Sequence, residues 1–130
     1  MAARDNGFSI KNLTKGKLPR LPFVDMKNKV LGDKYDLSLV FIGSDLSKKL
    51  NKTHRGKNAP TDILSFPLTK NSGEIFIDTS TAAKEAKQFN RKTENFIGFL
   101  FIHGLVHLKG LDHGSTMEEA EEKIRRIFGI

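Results

Sequence analysis

The chain has 130 residues and a formal net charge of +7, with 38% hydrophobic, 8% aromatic and 28% charged residues. That length suits one domain spanning residues 1–130, and the apolar content is enough for a core, which excludes global disorder. With no cysteine, disulfides, thiolate zinc sites, iron–sulfur clusters and cysteine nucleophiles are excluded, so any metal must have nitrogen or oxygen ligands.

In chain order, the N-terminal MAARDNGFSIKN lacks the continuous apolar core of a secretory signal. Together with the missing cysteines, this makes the cytoplasm the expected location. A short strand is expected at residues 8–12 and a helical stretch near residues 22–31, closed by Gly32. Residues 35–42 (YDLSLVFI) read as a strand, rich in β-branched and aromatic side chains and bounded by Gly32-Asp33 and Gly43-Ser44. Ser44 can cap a short helix after it. Residues 51–61 read as a polar, basic loop ending at Pro60. Two strands follow, DILSFP (62–67) and EIFID (74–78), separated by Asn71-Ser72-Gly73 and suited to a hairpin. Asp78 or Thr79 opens an alanine-rich helix to about Phe89, and Thr93 can cap a second helix to about Lys109, where Gly110 stops it. The last helix starts at Ser115, whose spacing to Glu118 makes a capping box.

Strands followed by a run of helices favour an α+β domain, a small mixed sheet with helices packed mainly on one face. The most apolar stretch, residues 96–106, is too short to span a bilayer. It reads as a buried central helix whose phenylalanines pack the core, and no membrane partner is expected.

Charge is unevenly spread. Residues 1–60 hold 13 Lys+Arg against 5 Asp+Glu, and residues 61–130 hold 9 against 10. A basic half in a small domain suits a polyanion such as nucleic acid, through phosphate contacts and counterion release, and equally suits a solubilising surface.

Three of the four histidines fall within eleven residues, HGLVHLKGLDH, as His103, His107 and His113. A four-residue spacing on a helix puts two imidazoles on one face, about 5–6 Å apart at Cβ, within reach of one metal ion. Were the helix to continue, His113 would lie about 9 Å further along the axis and roughly 240° around it. Gly110 resolves this, because glycine can take the left-handed conformation that ends a helix and turns the chain back. Helix, turn and third ligand are therefore expected, with the metal site at the end of the central helix. Three neutral nitrogens leave a fourth tetrahedral position open, the mark of a catalytic zinc site, where a bound water becomes a nucleophile at neutral pH. The spacing HxxxHxxGxxH also occurs in metzincin peptidases, but they need a glutamate directly after the first histidine as general base. Here that position is Gly104, which argues against peptidase activity.

At these residues the sequence resembles the YbeY family of bacterial rRNA maturation factors, metal-dependent endoribonucleases whose signature is close to HGxLHLxGYDH. Here Val106 stands for the usual leucine and Leu111 for the usual tyrosine. A second block, THRGKNAPTDILSFP at residues 53–67, is similar to the family's YRGKDxPTDVLSFP, and Gly73-Glu74-Ile75 resembles its GDI. The resemblance lies between about Leu50 and His113 and is weak over the first fifty residues.

The resemblance implies that His103, His107 and His113 bind Zn2+, or another divalent metal, and that Arg55 is the functional arginine of the loop. A guanidinium can hold a phosphate through two parallel hydrogen bonds and stabilise charge building on it. His54 is read as a loop residue able to stack on a base, and Asp112 either orients a ligand or caps the turn. No general base stands out, with Glu74 and Asp62 as the candidates. The attacking group is a metal-activated water or the RNA's own 2′-hydroxyl.

The expected function is that of a zinc-dependent, single-strand-specific endoribonuclease in rRNA processing, including maturation of the 3′ end of 16S rRNA, and in ribosome quality control. Its implied partners are single-stranded RNA, rRNA and the small ribosomal subunit with its proteins; no DNA partner is expected. The alternative is a noncatalytic rRNA-binding assembly module in which zinc only pins the last turn. The lack of an obvious fourth ligand speaks against it.

Overall fold

The computed structural model describes residues 3–5, 7–110 and 115–130, which form five strands and five helices. The strands are β1 (Ala3–Asp5), β2 (Phe8–Asn12), β3 (Asp36–Ile42), β4 (Ile63–Thr69) and β5 (Ser72–Asp78). They make one mixed sheet in the order β1-β2-β3-β5-β4. β2 and β5 both run parallel to β3, while β1 pairs antiparallel with β2 and β4 antiparallel with β5. The helices are α1 (Phe23–Leu31), α2 (Ser44–Arg55), α3 (Thr79–Gln88), α4 (Thr93–Leu108) and α5 (Ser115–Phe128).

The sequence expectations for β2, α1, β3, the β4–β5 hairpin, α3 and α4 are met to within two or three residues at their ends. Strand β1 was not expected. The central strand β3 is buried along Leu39–Ile42 on both faces, the pattern of a strand covered from two sides.

Alternation along the strands sorts the helices. Leu37, Leu39 and Phe41 of β3 and Ile75 and Ile77 of β5 share a core with Phe23, Met26 and Val30 of α1, Ala82 and Ala86 of α3, Phe96 to Val106 of α4 and Met117 of α5. Four helices therefore gather on one face. Helix α2 takes the opposite face, where the His54 ring lies 4.7 Å from Phe66 and Phe66 lies 5.9 Å from Phe76.

Helix α4 is apolar nearly all round, which is the composition of a helix enclosed by its neighbours. It packs against α1, α3, α5, β4 and β5, and the Phe23 and Phe101 rings meet edge to face at 5.1 Å. No helix among the described residues is long and apolar enough to cross a membrane.

The structure corrects three local expectations. Residues 51–55 are not loop but the last turns of α2, which ends at Gly56 in the left-handed conformation (φ +70°). The buried side of α2 is polar, Ser47 and Asn51: Asn51 Nδ2 donates to the Ala59 carbonyl at 2.9 Å, and Ser47 Oγ donates to Asp78 at 2.6 Å. No apolar stripe therefore marks the extension. Ser44 and Thr93 are the first residues inside their helices, with Gly43 and Lys92 flanking and no side-chain cap bond at either. Asp78, by contrast, caps α3 as expected, accepting from the Thr81 backbone N–H at 2.9 Å. The capping box at Ser115 depends on a side chain outside the described residues.

Candidate metal and RNA site

Helix α4 carries the two histidines, and the residue between its site face and the sheet decides how close it can sit. A Cβ at Gly104 would lie 3.0 Å from both Ile63 Cδ1 and Ile75 Cδ1 and 3.3 Å from Ser65 Oγ. The missing side chain lets α4 settle on β4 and β5, and Ser65 Oγ donates to the Gly104 carbonyl at 3.2 Å. A side chain at this position would be crowded against the sheet, and Gly104 supplies no base where the peptidase chemistry needs one.

With Gly104 turned inward, His103 and His107 both line a cleft of ≈ 360 Å³, together with Arg55, Asp62, Ile63 and Ser65. Arg55 reaches the cleft from the C-terminal end of α2 rather than from a loop, and it is exposed. Three of the four site residues expected from sequence, Arg55, His103 and His107, thus come from two elements to one opening. His113 and Asp112 lie outside the described residues. Among the described residues no three histidine or carboxylate side chains gather closely enough to hold a metal by themselves. Gly110, at φ +95°, takes the left-handed conformation expected of it just past the end of α4.

His103 Nδ1 lies 3.0 Å from Glu121 Oε2, and the Glu121 side chain is only 8% exposed. An ionised carboxylate can only accept, so in the neutral imidazole this contact favours the tautomer with its proton on Nδ1. This is the carboxylate–histidine arrangement that fixes tautomer and ring orientation in metal sites. Glu121 was missed in the sequence, where it is one of four glutamates in MEEAEEK. A signal was present: buried Met117 and half-buried Ala120, Ile124 and Phe128 form the core-facing stripe of α5, and Glu121 falls inside it.

Of the two general-base candidates, Asp62 lines the cleft. Glu74 does not: its neighbour Ile75 faces α4, so strand alternation turns Glu74 to the opposite face. Behind Asp62 stands a second missed carboxylate, Glu85 of α3. Its Oε1 is buried and finds no donor among the described residues; what lies within hydrogen-bond reach is Asp62. Two carboxylates share a hydrogen bond only when one of them is protonated. Burial, this bond, and the charges of Asp62 and Asp78 together raise the Glu85 carboxyl from an ordinary 4.5 to about 7. His54 belongs to the last turn of α2 and packs against Phe66, so its ring is already in contact with the sheet.

The fold is similar to the solution structure of TM1509 from Thermotoga maritima, with a TM-score of 0.69 and 26% identity over 94% of this chain and 89% of that one. A relative from Alkaliphilus oremlandii, named Endoribonuclease YbeY, is 37% identical over 101 residues, which are 70% of this chain and 67% of the relative. One of the same name from Bacillus subtilis is 33% identical over 69% of this chain and 66% of the relative. The match spans about two thirds of the length of these curated relatives. The family model described as Endoribonuclease YbeY matches residues 9–128, from β2 to the last residue of α5 and across every residue of the cleft. With the histidine helix, the arginine at its mouth and this match in agreement, the chain belongs to the YbeY family.

Proposed function

We propose that the protein is a metal-dependent endoribonuclease that cuts single-stranded RNA and serves rRNA processing in the cytoplasm, including 16S rRNA 3′-end maturation and ribosome quality control beside the small subunit. The observation that carries this reading is the meeting of Arg55 with His103 and His107 in one cleft, with His103 held by a buried carboxylate. The name borne by the relatives agrees with it.

His103, His107 and His113 are the residues that would hold zinc or another divalent ion, and imidazole nitrogens suit zinc. When bound, such an ion supplies Lewis acidity to the cleft. The remaining work falls to the chain itself. Glu121, 3.0 Å from His103 Nδ1, orients that imidazole and sets its tautomer. Arg55 holds the scissile phosphate by two parallel hydrogen bonds and stabilises charge that grows on its oxygens. Asp62, open to the same cleft, is placed to take the proton from the attacking hydroxyl.

The test is cleavage of an end-labelled single-stranded RNA by the wild type and by Arg55→Ala. Because Arg55 is exposed, the variant should melt with the wild type while kcat falls about a hundredfold, the scale of one lost transition-state donor. Equal cleavage by both would remove Arg55 from the mechanism. A 2′,3′-cyclic phosphate on the product identifies the 2′-hydroxyl as the attacking group, and a linear phosphate formed directly identifies water.

A further inference from the structure

Helix α3 ends by presenting an aromatic ring to solvent. Phe89, just after its last turn, is 64% exposed, yet its backbone is fixed. Its N–H donates to the Glu85 carbonyl at 3.1 Å, the Arg91 N–H donates to the Ala86 carbonyl at 2.9 Å, and Asn90 between them has φ +54°. The tight turn therefore fixes the backbone from which the ring projects.

Phe89 is the outer member of a stack. Its ring lies 5.7 Å from Phe96 at an interplanar angle of 19°, and Phe96 lies 5.7 Å from Phe99 at 9°. The guanidinium groups of Arg91 and Arg125 sit 4.9 and 5.0 Å from the Phe99 centroid. Core packing accounts for Phe96, which is 4% exposed, and nearby partners account in part for the two cations, Asn95 for Arg91 and Glu121 for Arg125, but neither accounts for an outer ring left in water.

The stack is continuous with the proposed reaction site. Phe99 lines the same opening as His103, Asp62 and Glu121, and an adjoining one joins Phe89 and Arg91 to Asp62. Along α4, Phe99 precedes His103 by about 6 Å and Phe96 by roughly 10 Å. Charge is also distinctive here. Lys84, Lys87, Arg91 and Lys92 surround Phe89 in sequence against the single carboxylate of Glu85, within a C-terminal half that is otherwise not basic. An exposed π-face in a locally basic segment, with Arg91 in the same opening and the proposed RNA-cutting cleft beside it, is the chemistry that holds an unpaired nucleobase.

We infer that Phe89, backed by Phe96 and Phe99 and flanked by Arg91, is a stacking shelf for one unpaired base of the RNA substrate, a few nucleotides from the bond that is cut. This rests on RNA being the substrate, and it adds where the strand lies. Stacking has no base-edge contacts of its own, so the shelf selects single strands over duplex without selecting sequence.

The experiment uses a single-stranded oligoribonucleotide with 2-aminopurine walked along its positions, mixed rapidly with metal-loaded protein and read before cleavage accumulates. Wild type and Phe89→Tyr should quench the probe at one or two positions. Phe89→Leu, which keeps an apolar side chain but no π-face, and Phe89→Ala should lose that quench and bind about tenfold more weakly. Quenching and affinity unchanged in Phe89→Ala, retained in full by Phe89→Leu, or absent at every position with the wild type would each overturn the shelf. Position-specific, Phe89-dependent quenching by a protein that cleaves no RNA would leave the shelf standing and overturn the nuclease reading instead.

Discussion

His103 and Glu121 stand eighteen residues apart and meet at 3.0 Å, and what that contact does can be measured without any turnover. If Glu121 sets the His103 tautomer, Glu121→Ala should weaken zinc binding about 10–100-fold in competition against a chromogenic chelator. An unchanged affinity would make the pair a packing contact only. Glu85 gives a second residue-level test. Its carboxyl is raised from an ordinary 4.5 to about 7, so folding favours its protonated form. Its contribution is fully present below about pH 4.5 and is lost as pH rises through about 7. Wild type and Glu85→Gln should therefore melt alike in acid, with the wild type falling behind as pH climbs to neutrality. Parallel melting curves from pH 4 to 8 would contradict this. His103 and His107 were legible as partners in one cleft because a four-residue spacing on a helix puts both on one face. Glu121 and Glu85 were not, because a carboxylate looks the same in solvent and in the core, and only the stripe it falls in tells them apart.

Helix α4 owes its place to a side chain that is absent. Gly104→Ala would force its Cβ to 3.0 Å from two isoleucine methyl groups of β4 and β5, and overpacking of this kind costs about 1–3 kcal/mol. Where the isoleucines cannot give way the helix lifts, carrying His103 and His107 with it, so denaturant melts should show the loss of stability and chelator competition a parallel loss of zinc affinity. A variant with wild-type stability would mean the sheet yields at no cost. Helix α2 shows where reading by pattern stops. Its buried residues are Ser47 and Asn51, satisfied by Asp78 and by the loop it precedes. Periodicity of apolar side chains cannot find a helix whose inner face is polar. The consequence reaches the site, because Arg55 is held at a helix end by the turn at Gly56 instead of riding on a loop.

At the scale of the molecule, the hairpin and the run of helices were visible as local patterns, and they implied an α+β fold with helices mainly on one face. The sheet order was not visible. Placing β5 beside β3, parallel to it, with β4 at the edge depends on contacts across long stretches of chain, which leave no short-range mark. That order is what joins the site: β4 and β5 form the floor on which α4 rests, α2 crosses the other face, and the end of α2 and the residue just before β4 bring Arg55 and Asp62 to one mouth. The reading of this mouth as a metal-dependent RNA-cleaving site stands or falls most directly on one measurement. Purified protein would be stripped with a chelator, reloaded with one equivalent of zinc, and assayed at each stage on a labelled single-stranded RNA beside His107→Ala of matched folding. Cleavage that disappears on stripping, returns on reloading and is absent from the variant is the predicted result. Cleavage indifferent to metal and to His107, or no cleavage by zinc-loaded protein that still binds the RNA, would contradict it, and the second result would point to an rRNA-binding assembly module.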